Sequence, residues 1–159
     1  MIGQKTEAVE AFWQKCRSSF GIDADDYFVG TFAEPRFAPY HDTLLDLVDA
    51  GKKRATAHLA MDFVRNGIPR RTPGDYWMVV DGGNRPRYLI RITDVDERPF
   101  REVTQMFAAR EGEGDSSLRY WREVHLDYFE RQCKDWGIPW QDDYPVVCEG
   151  FELVATYPL

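Results

Sequence analysis

The sequence predicts an α+β domain in which a curved sheet or small β-barrel is flanked by helices, and three observations carry that prediction. Two strand-like runs, Tyr76-Trp77-Met78-Val79-Val80 and Arg87-Tyr88-Leu89-Ile90-Arg91-Ile92, flank a turn containing Asp81-Gly82-Gly83-Asn84 and read as a hairpin. Leu118, Trp121, His125, Phe129, Gln132 and Trp136 recur at intervals of three and four, which predicts a long helix before a closing strand over Pro145 to Val154. The βαβ rhythm of a Rossmann sheet is missing, and neither G-x-G-x-x-G nor G-x-x-x-x-G-K-[ST] occurs. H-E-x-x-H and G-x-S-x-G are absent as well.

The other elements follow in chain order. Val9, Phe12, Trp13, Cys16 and Phe20 fall at helical spacing before Gly21, so the chain begins with a packing helix. Tyr27 to Phe32 reads as a short strand broken by Pro35 and Pro39. Asp42 is the expected cap of a second helix, with Leu44, Leu45, Leu47 and Val48 as its buried stripe and Gly51 just past its end. Met61 to Pro73, rich in Arg and Pro, yields no clear element. Glu102 to Arg110 reads as a short helix, and the long helix stops near Gly137. With no repeat or linker, residues 1–159 read as one domain with a helical extension over about 1–25.

Composition agrees. At 43% hydrophobic and 14% aromatic, a chain of 159 residues is no disordered segment and can bury a core without disulfides or structural metal. Cys16, Cys133 and Cys148 are odd in number and far apart, which argues against a disulfide framework or a thiolate zinc site and leaves them as small buried hydrophobes. No apolar run nears the roughly 18 residues of a membrane span, and Met1-Ile2-Gly3-Gln4-Lys5 lacks a secretory signal, so a soluble, cytoplasmic protein is expected.

A net charge of −7 argues against a polyanionic partner, but the average hides an asymmetry. Lys52 to Arg91 holds nine basic residues against three acidic, a net of +6, while the rest carries −13. Such segregation suits a basic surface for an anionic ligand, and it equally suits cations scattered over a solvated surface; charge alone leaves both open.

Two clusters have the residue types of a site. In Gly51-Lys52-Lys53-Arg54-Ala55-Thr56-Ala57, a charged helix end accounts for the cations but not for a hydroxyl set between two alanines. A Lys three residues before a hydroxyl can activate a nucleophile or clamp an anion. In Ala108-Ala109-Arg110-Glu111-Gly112-Glu113-Gly114-Asp115, glycine ends one helix and Asp115 or Ser116 caps the next, which leaves Glu111 and Glu113 unexplained. They are candidates for general base work or for a divalent ion, although capping chemistry accounts for glycine-spaced carboxylates equally well and no cofactor is assigned. Among the histidines, His125 falls on an apolar stripe and reads as a core residue, while His58 follows the Lys-Thr pair closely. Trp77, Tyr76, Tyr88, Trp121 and Trp140 could stack bases, but their periods read first as packing.

Taken in order, Gly51 to Ala57, the turn of Asp81-Gly82-Gly83 with Pro86, Pro99-Phe100-Arg101-Glu102-Val103, Ala108 to Asp115, Leu118, Trp121, Arg122, His125 and Pro145-Val146-Val147-Cys148-Glu149 resemble an ASCH domain from about Phe32 to the C-terminus. The resemblance implies a PUA-like fold, a small β-barrel with helices around a cleft, in a superfamily associated with RNA. Some members are amidohydrolases acting on N4-acetylcytidine through a Lys-x-x-Thr motif and a Glu three positions after an Ala. Here these positions are Lys53, Thr56 and, counting from Ala108, Glu111. Some members of the longer bacterial type, which this chain resembles, look like single-stranded ribonucleases. This chain departs from the shorter enzymes by its N-terminal helix and its extended Glu111-to-Trp140 region, and shared groups need not mean a shared reaction.

Three readings follow. In the first, placed ahead because it uses the charge asymmetry, single-stranded RNA is cleaved: Lys53 stabilises phosphoryl charge, Glu111 takes the proton of the nucleophile and Thr56 orients the phosphate, with Lys52, Arg54, Arg70, Arg71, Arg85 and Arg87 tracking the backbone. In the second, Thr56 attacks an acylated nucleoside, Lys53 accepts its proton and Glu111 holds the Lys. The third is a non-catalytic module that binds RNA or a modified nucleotide. None involves a membrane.

Overall fold

The amphipathic start of the chain becomes α1 (Glu7–Phe20), opened by the Thr6 side chain, which accepts from the Val9 N–H, and closed by Gly21 at φ 64°. In this computed structural model, residues 1–159 are described apart from the side chains of Pro35 and Ala38. β1 (Phe28–Gly30) follows, then a short 3-10 turn and α2 (Ala38–Asp49). Asp42 does not cap α2: the helix starts four residues earlier, with Pro39 in its first turn. There a fixed φ and a missing N–H suit a helix start, so the proline opens the helix rather than only ending the strand.

β2 (Ala55–Leu59) runs directly into α3 (Ala60–Arg65); the sequence predicts neither, β2 lying before and α3 almost wholly inside the Met61-to-Pro73 stretch that yields no clear element. β3 (Tyr76–Val80) and β4 (Pro86–Pro99) form the expected antiparallel hairpin, with a register shift at Val79/Val80. α4 (Gln105–Glu111), α5 (Leu118–Asp135) and β5 (Pro145–Thr156) complete the chain. The sheet is mixed, ordered β1-β3-β4-β5-β2, with β1 parallel to β3 and β2 antiparallel to β5. The fold is α+β, as expected. Among the described residues no helix is long and apolar enough to cross a membrane.

By packing, the chain divides into two compact units. One comprises Met1–Ala50, Arg71–Asp94 and Phe151–Leu159, the other Gly51–Arg70 and Val95–Gly150. In the first, Val9, Phe12, Trp13 and Cys16 of α1 pack on Met78, Val80, Leu89 and Ala155. In the second, Ala55, Ala57 and Leu59 of β2 and Val146 and Cys148 of β5 meet Phe107, Ala108, Trp121, Phe129 and Cys133. Burial of each large side chain there stabilises by roughly 1.5–3 kcal/mol, and this apolar layer positions the polar groups of the candidate site. The three cysteines are free and buried.

Candidate active site

Lys53, Thr56 and Glu111 all lie in the second unit, and the structure joins two of them directly. Lys53 has no exposure; its Nζ donates to the Ala55 carbonyl at 2.7 Å and to Glu111 Oε1 at 3.1 Å. The Ala55 carbonyl belongs to the peptide that carries the Thr56 nitrogen, so the ammonium is held one peptide unit from Thr56. No hydrogen bond joins Nζ to the Thr56 hydroxyl among the described residues. Strand alternation explains the separation: Ala55, Ala57 and Leu59 face the helices, which turns Thr56 and His58 to the other face of β2.

Glu111 is the last residue of α4, and its position depends on the glycine after it. Gly112 stands at φ 70°, and a Cβ there would lie 2.2 Å from the Lys52 carbonyl oxygen. Only glycine permits this approach, which is locked by the Arg54 N–H donating to the Arg110 carbonyl at 2.7 Å. Gly114, at φ 57°, likewise leaves no room for a Cβ, which would meet the Tyr120 ring at 2.7 Å. The alternation of glycine and carboxylate is therefore a packing requirement. The cap of α5 is Ser117, not Asp115 or Ser116, and Asp115 serves it from outside by accepting the Ser117 N–H at 2.9 Å.

The other side of the Glu111 carboxylate is held by α5. Trp121 and His125, four residues apart on one helix face, stack with ring centroids 4.0 Å apart. Trp121 Nε1–H donates to Glu111 Oε2, and His125 Nε2 lies 3.1 Å from the same oxygen. His125 Nδ1 is 2.8 Å from the Trp121 carbonyl, which can only accept. Both ring nitrogens thus face acceptors, the arrangement of an imidazolium. Burial alone would lower the pKa of His125, but the charges of Glu111 and Glu113 and its two hydrogen bonds raise it. Burial would raise that of Glu111; the charges of Lys53 and His125 and the bonds from His125 and Trp121 hold it well below the usual carboxylate range.

Glu111, Glu113 and His125 offer ligand atoms within 4.8 Å of one another and are the residues that could hold a cation. As they stand, Lys53 and His125 already supply positive charge to Glu111. Asp115, grouped with the two glutamates by sequence, is not part of this cluster.

The remaining cations divide. Lys52 is exposed beside Gly112, Arg54 donates to the Lys53 carbonyl at 2.6 Å, and Arg70 pairs with Glu97 at 3.3 Å. Arg71, Arg85 and Arg87 belong to the first unit. There the Arg71 guanidinium is buried 3.8 Å over the Trp77 ring, Arg85 pairs with Asp81 at 2.9 Å and Arg87 with Asp49 at 3.4 Å. Four of the six expected backbone contacts are thus already engaged by a carboxylate or an aromatic face.

Sequence reasoning put His125 in the core and passed over Glu149. Glu149 is fully buried on β5, is the register partner of Thr56, and lies 3.3 Å from His58 Nε2. The available signal was a carboxylate inside the apolar run Val146-Val147-Cys148-Glu149-Gly150-Phe151.

The profile of the ASCH domain family matches residues 31–155. The crystal structure of an ASCH domain from Lactobacillus crispatus is similar at 29% identity and a TM-score of 0.77, over 94% of this chain and 95% of that one. Protein EF3133 from Enterococcus faecalis is similar at 28% identity and a TM-score of 0.81, over 96% of this chain and 91% of that one. No curated protein matches the sequence.

Proposed function

The chain belongs to the ASCH domain family, and from that premise we propose that it hydrolyses the amide bond of a small acylated nucleoside such as N4-acetylcytidine. The observation that carries this reading is the burial of Lys53, Thr56 and Glu111, all at 2% exposure or less. A phosphodiester backbone needs a track of cations free to face phosphate, whereas Arg71 is buried over Trp77 and Arg70, Arg85 and Arg87 each already face a carboxylate. An acylated base needs no such track.

In this reading Thr56 is the nucleophile. Lys53 does not touch substrate: its ammonium, one peptide unit away, favours negative charge at the threonine oxygen as attack begins. Glu111 and His125 are positioning residues. They hold the ammonium in place and tie the segment 110–113 to the start of β2, so the hydroxyl is presented in one geometry. A charged cluster with so little exposure is expensive in stability, and such clusters concentrate at functional sites.

The test is hydrolysis of N4-acetylcytidine beside labelled single-stranded RNA, with products separated by chromatography. The expected result is cytidine and acetate from the wild type, with a loss of at least about 100-fold in Thr56→Ala and partial retention in Thr56→Ser. RNA fragments without cytidine would overturn this reading and transfer the residues to RNA cleavage; binding of either ligand without turnover would leave a binding module.

A further inference from the structure

The Glu111 carboxylate is held from two sides, and one of its donors is neutral. Lys53 Nζ meets Oε1 at 3.1 Å, while the Trp121 Nε1–H and His125 Nε2 meet Oε2. Resting on the amide-hydrolase reading, we infer that Trp121 is a positioning residue for that reaction. Its indole N–H fixes the rotation of the Glu111 carboxylate, and through it the place of Lys53 beside the Thr56 peptide.

α5 supplies both donors on Oε2. Trp121 and His125 are one turn apart, and their rings lie over each other at 14° from parallel with centroids 4.0 Å apart. This stack brings an N–H edge of each ring to one oxygen. The indole has little room to swing away: it is 1% exposed, with the Phe100 ring at 5.5 Å and the Phe107 ring, near perpendicular, at 6.3 Å. Phe107 lies four residues before Glu111 on α4, so the indole is seated against the helix whose last residue it orients.

The last torsion of a glutamate is broad, and a carboxylate tied at one oxygen to a flexible lysine turns at little cost. Two donors on Oε2 remove that freedom and leave Oε1 for Lys53, whose Nζ also donates to the Ala55 carbonyl at 2.7 Å. The nitrogen is thereby set against the peptide that carries Thr56. The clamp acts alike on an ammonium and on an amine, because an amine keeps two N–H groups for the same two acceptors. Indole is a donor without charge, so Trp121 adds direction where His125 adds charge as well. Withdrawing the indole N–H therefore changes the geometry of the cluster and leaves its charge as it was. A misplacement of about 1 Å costs up to about 100-fold in rate, and a loosened carboxylate that acts on Thr56 only through Lys53 should cost about tenfold.

The experiment measures kcat and KM for N4-acetylcytidine with the full chain as wild type, as Trp121→Phe, and with benzothienylalanine at position 121, which keeps the bicyclic ring and puts sulfur in place of the N–H. Circular dichroism checks each fold, and nuclear magnetic resonance follows the Lys53 Cε signal. We expect both replacements to lower kcat about tenfold with KM little changed, and the benzothienyl variant to shift the Lys53 signal. Wild-type kcat in the folded benzothienyl variant, or an unmoved Lys53 signal, overturns the assignment and leaves Trp121 as a core residue. A loss carried by KM alone overturns it too, because the place of Lys53 bears on the reacting step. An inactive wild type overturns the amide-hydrolase reading and with it the role of Trp121 in turnover, while the Lys53 signal still decides whether the indole clamps the carboxylate.

Discussion

Two histidines show how differently the two units use a buried ring. His41, 1% exposed in the first unit, accepts the Phe32 N–H at Nδ1 and donates from Nε2 to the Val80 carbonyl at 2.8 Å. One acceptor and one donor make a neutral ring, and burial lowers its pKa. His125, 4% exposed in the second unit, faces acceptors on both sides, and the charges of Glu111 and Glu113 raise its pKa. Burial penalises the charged form of both rings; the partner, a peptide in one case and an ionised carboxylate in the other, decides the outcome. The first unit thus sets its histidine between two peptide groups, and the second sets its histidine against an ionised carboxylate.

The largest effect should come from removing the group that charge depends on. Glu111→Ala leaves Lys53 and His125 buried without their shared carboxylate and should destabilise by about 3–5 kcal/mol in a denaturant titration. Unchanged stability would show that the cluster is more open than its burial implies. Gly112→Ala forces a side chain into the left-handed region and onto the Lys52 carbonyl, so a loss of about 2–3 kcal/mol is expected, with Thr56-dependent turnover lost as well. His125→Phe and His41→Phe put the same substitution into both settings. Each should cost about 1–3 kcal/mol, the former more, because it withdraws a cation from a carboxylate rather than a hydrogen bond from a peptide. Equal costs would erase the distinction.

The smallest effect to measure is the sign of the pH response. His125 has a raised pKa, so its contribution is complete below 6.5 and is lost as pH rises above that value. His41 has a lowered pKa, so its contribution is lost as pH falls below 6.5. Glu111, also lowered, loses its contribution as pH falls below 4.5. Ring-proton titration by nuclear magnetic resonance should show His125 still charged above pH 6.5 and His41 still neutral below it; movement of both rings in one direction would refute the contrast.

Period and turn chemistry made most elements legible. α1, the β3–β4 hairpin, α5 and β5 stand where apolar spacing and glycine place them. β2 and α3 were not legible, because β2 is buried on both faces and its small and polar residues show no apolar alternation, while six residues of helix are too short to show a period. In the site, Lys53, Thr56 and Glu111 were visible as residue types without a packing reason. His125 and Glu149 were hidden inside apolar runs, where a lone polar residue has the same local signature whether it is functional or merely satisfied.

By itself, then, the sequence determined the α+β class, the elements with a long period and the two segments that carry Lys53, Thr56 and Glu111, because these rest on spacing along one chain. Only the tertiary structure decided which oxygen of Glu111 meets which cation, that both ring nitrogens of His125 face acceptors, that Thr56 turns away from Lys53 toward the face of His58 and Glu149, and that most of the expected RNA-tracking cations already face a carboxylate or an aromatic ring. Protonation and pairing depend on groups brought together from distant positions, and no spacing within one segment records them.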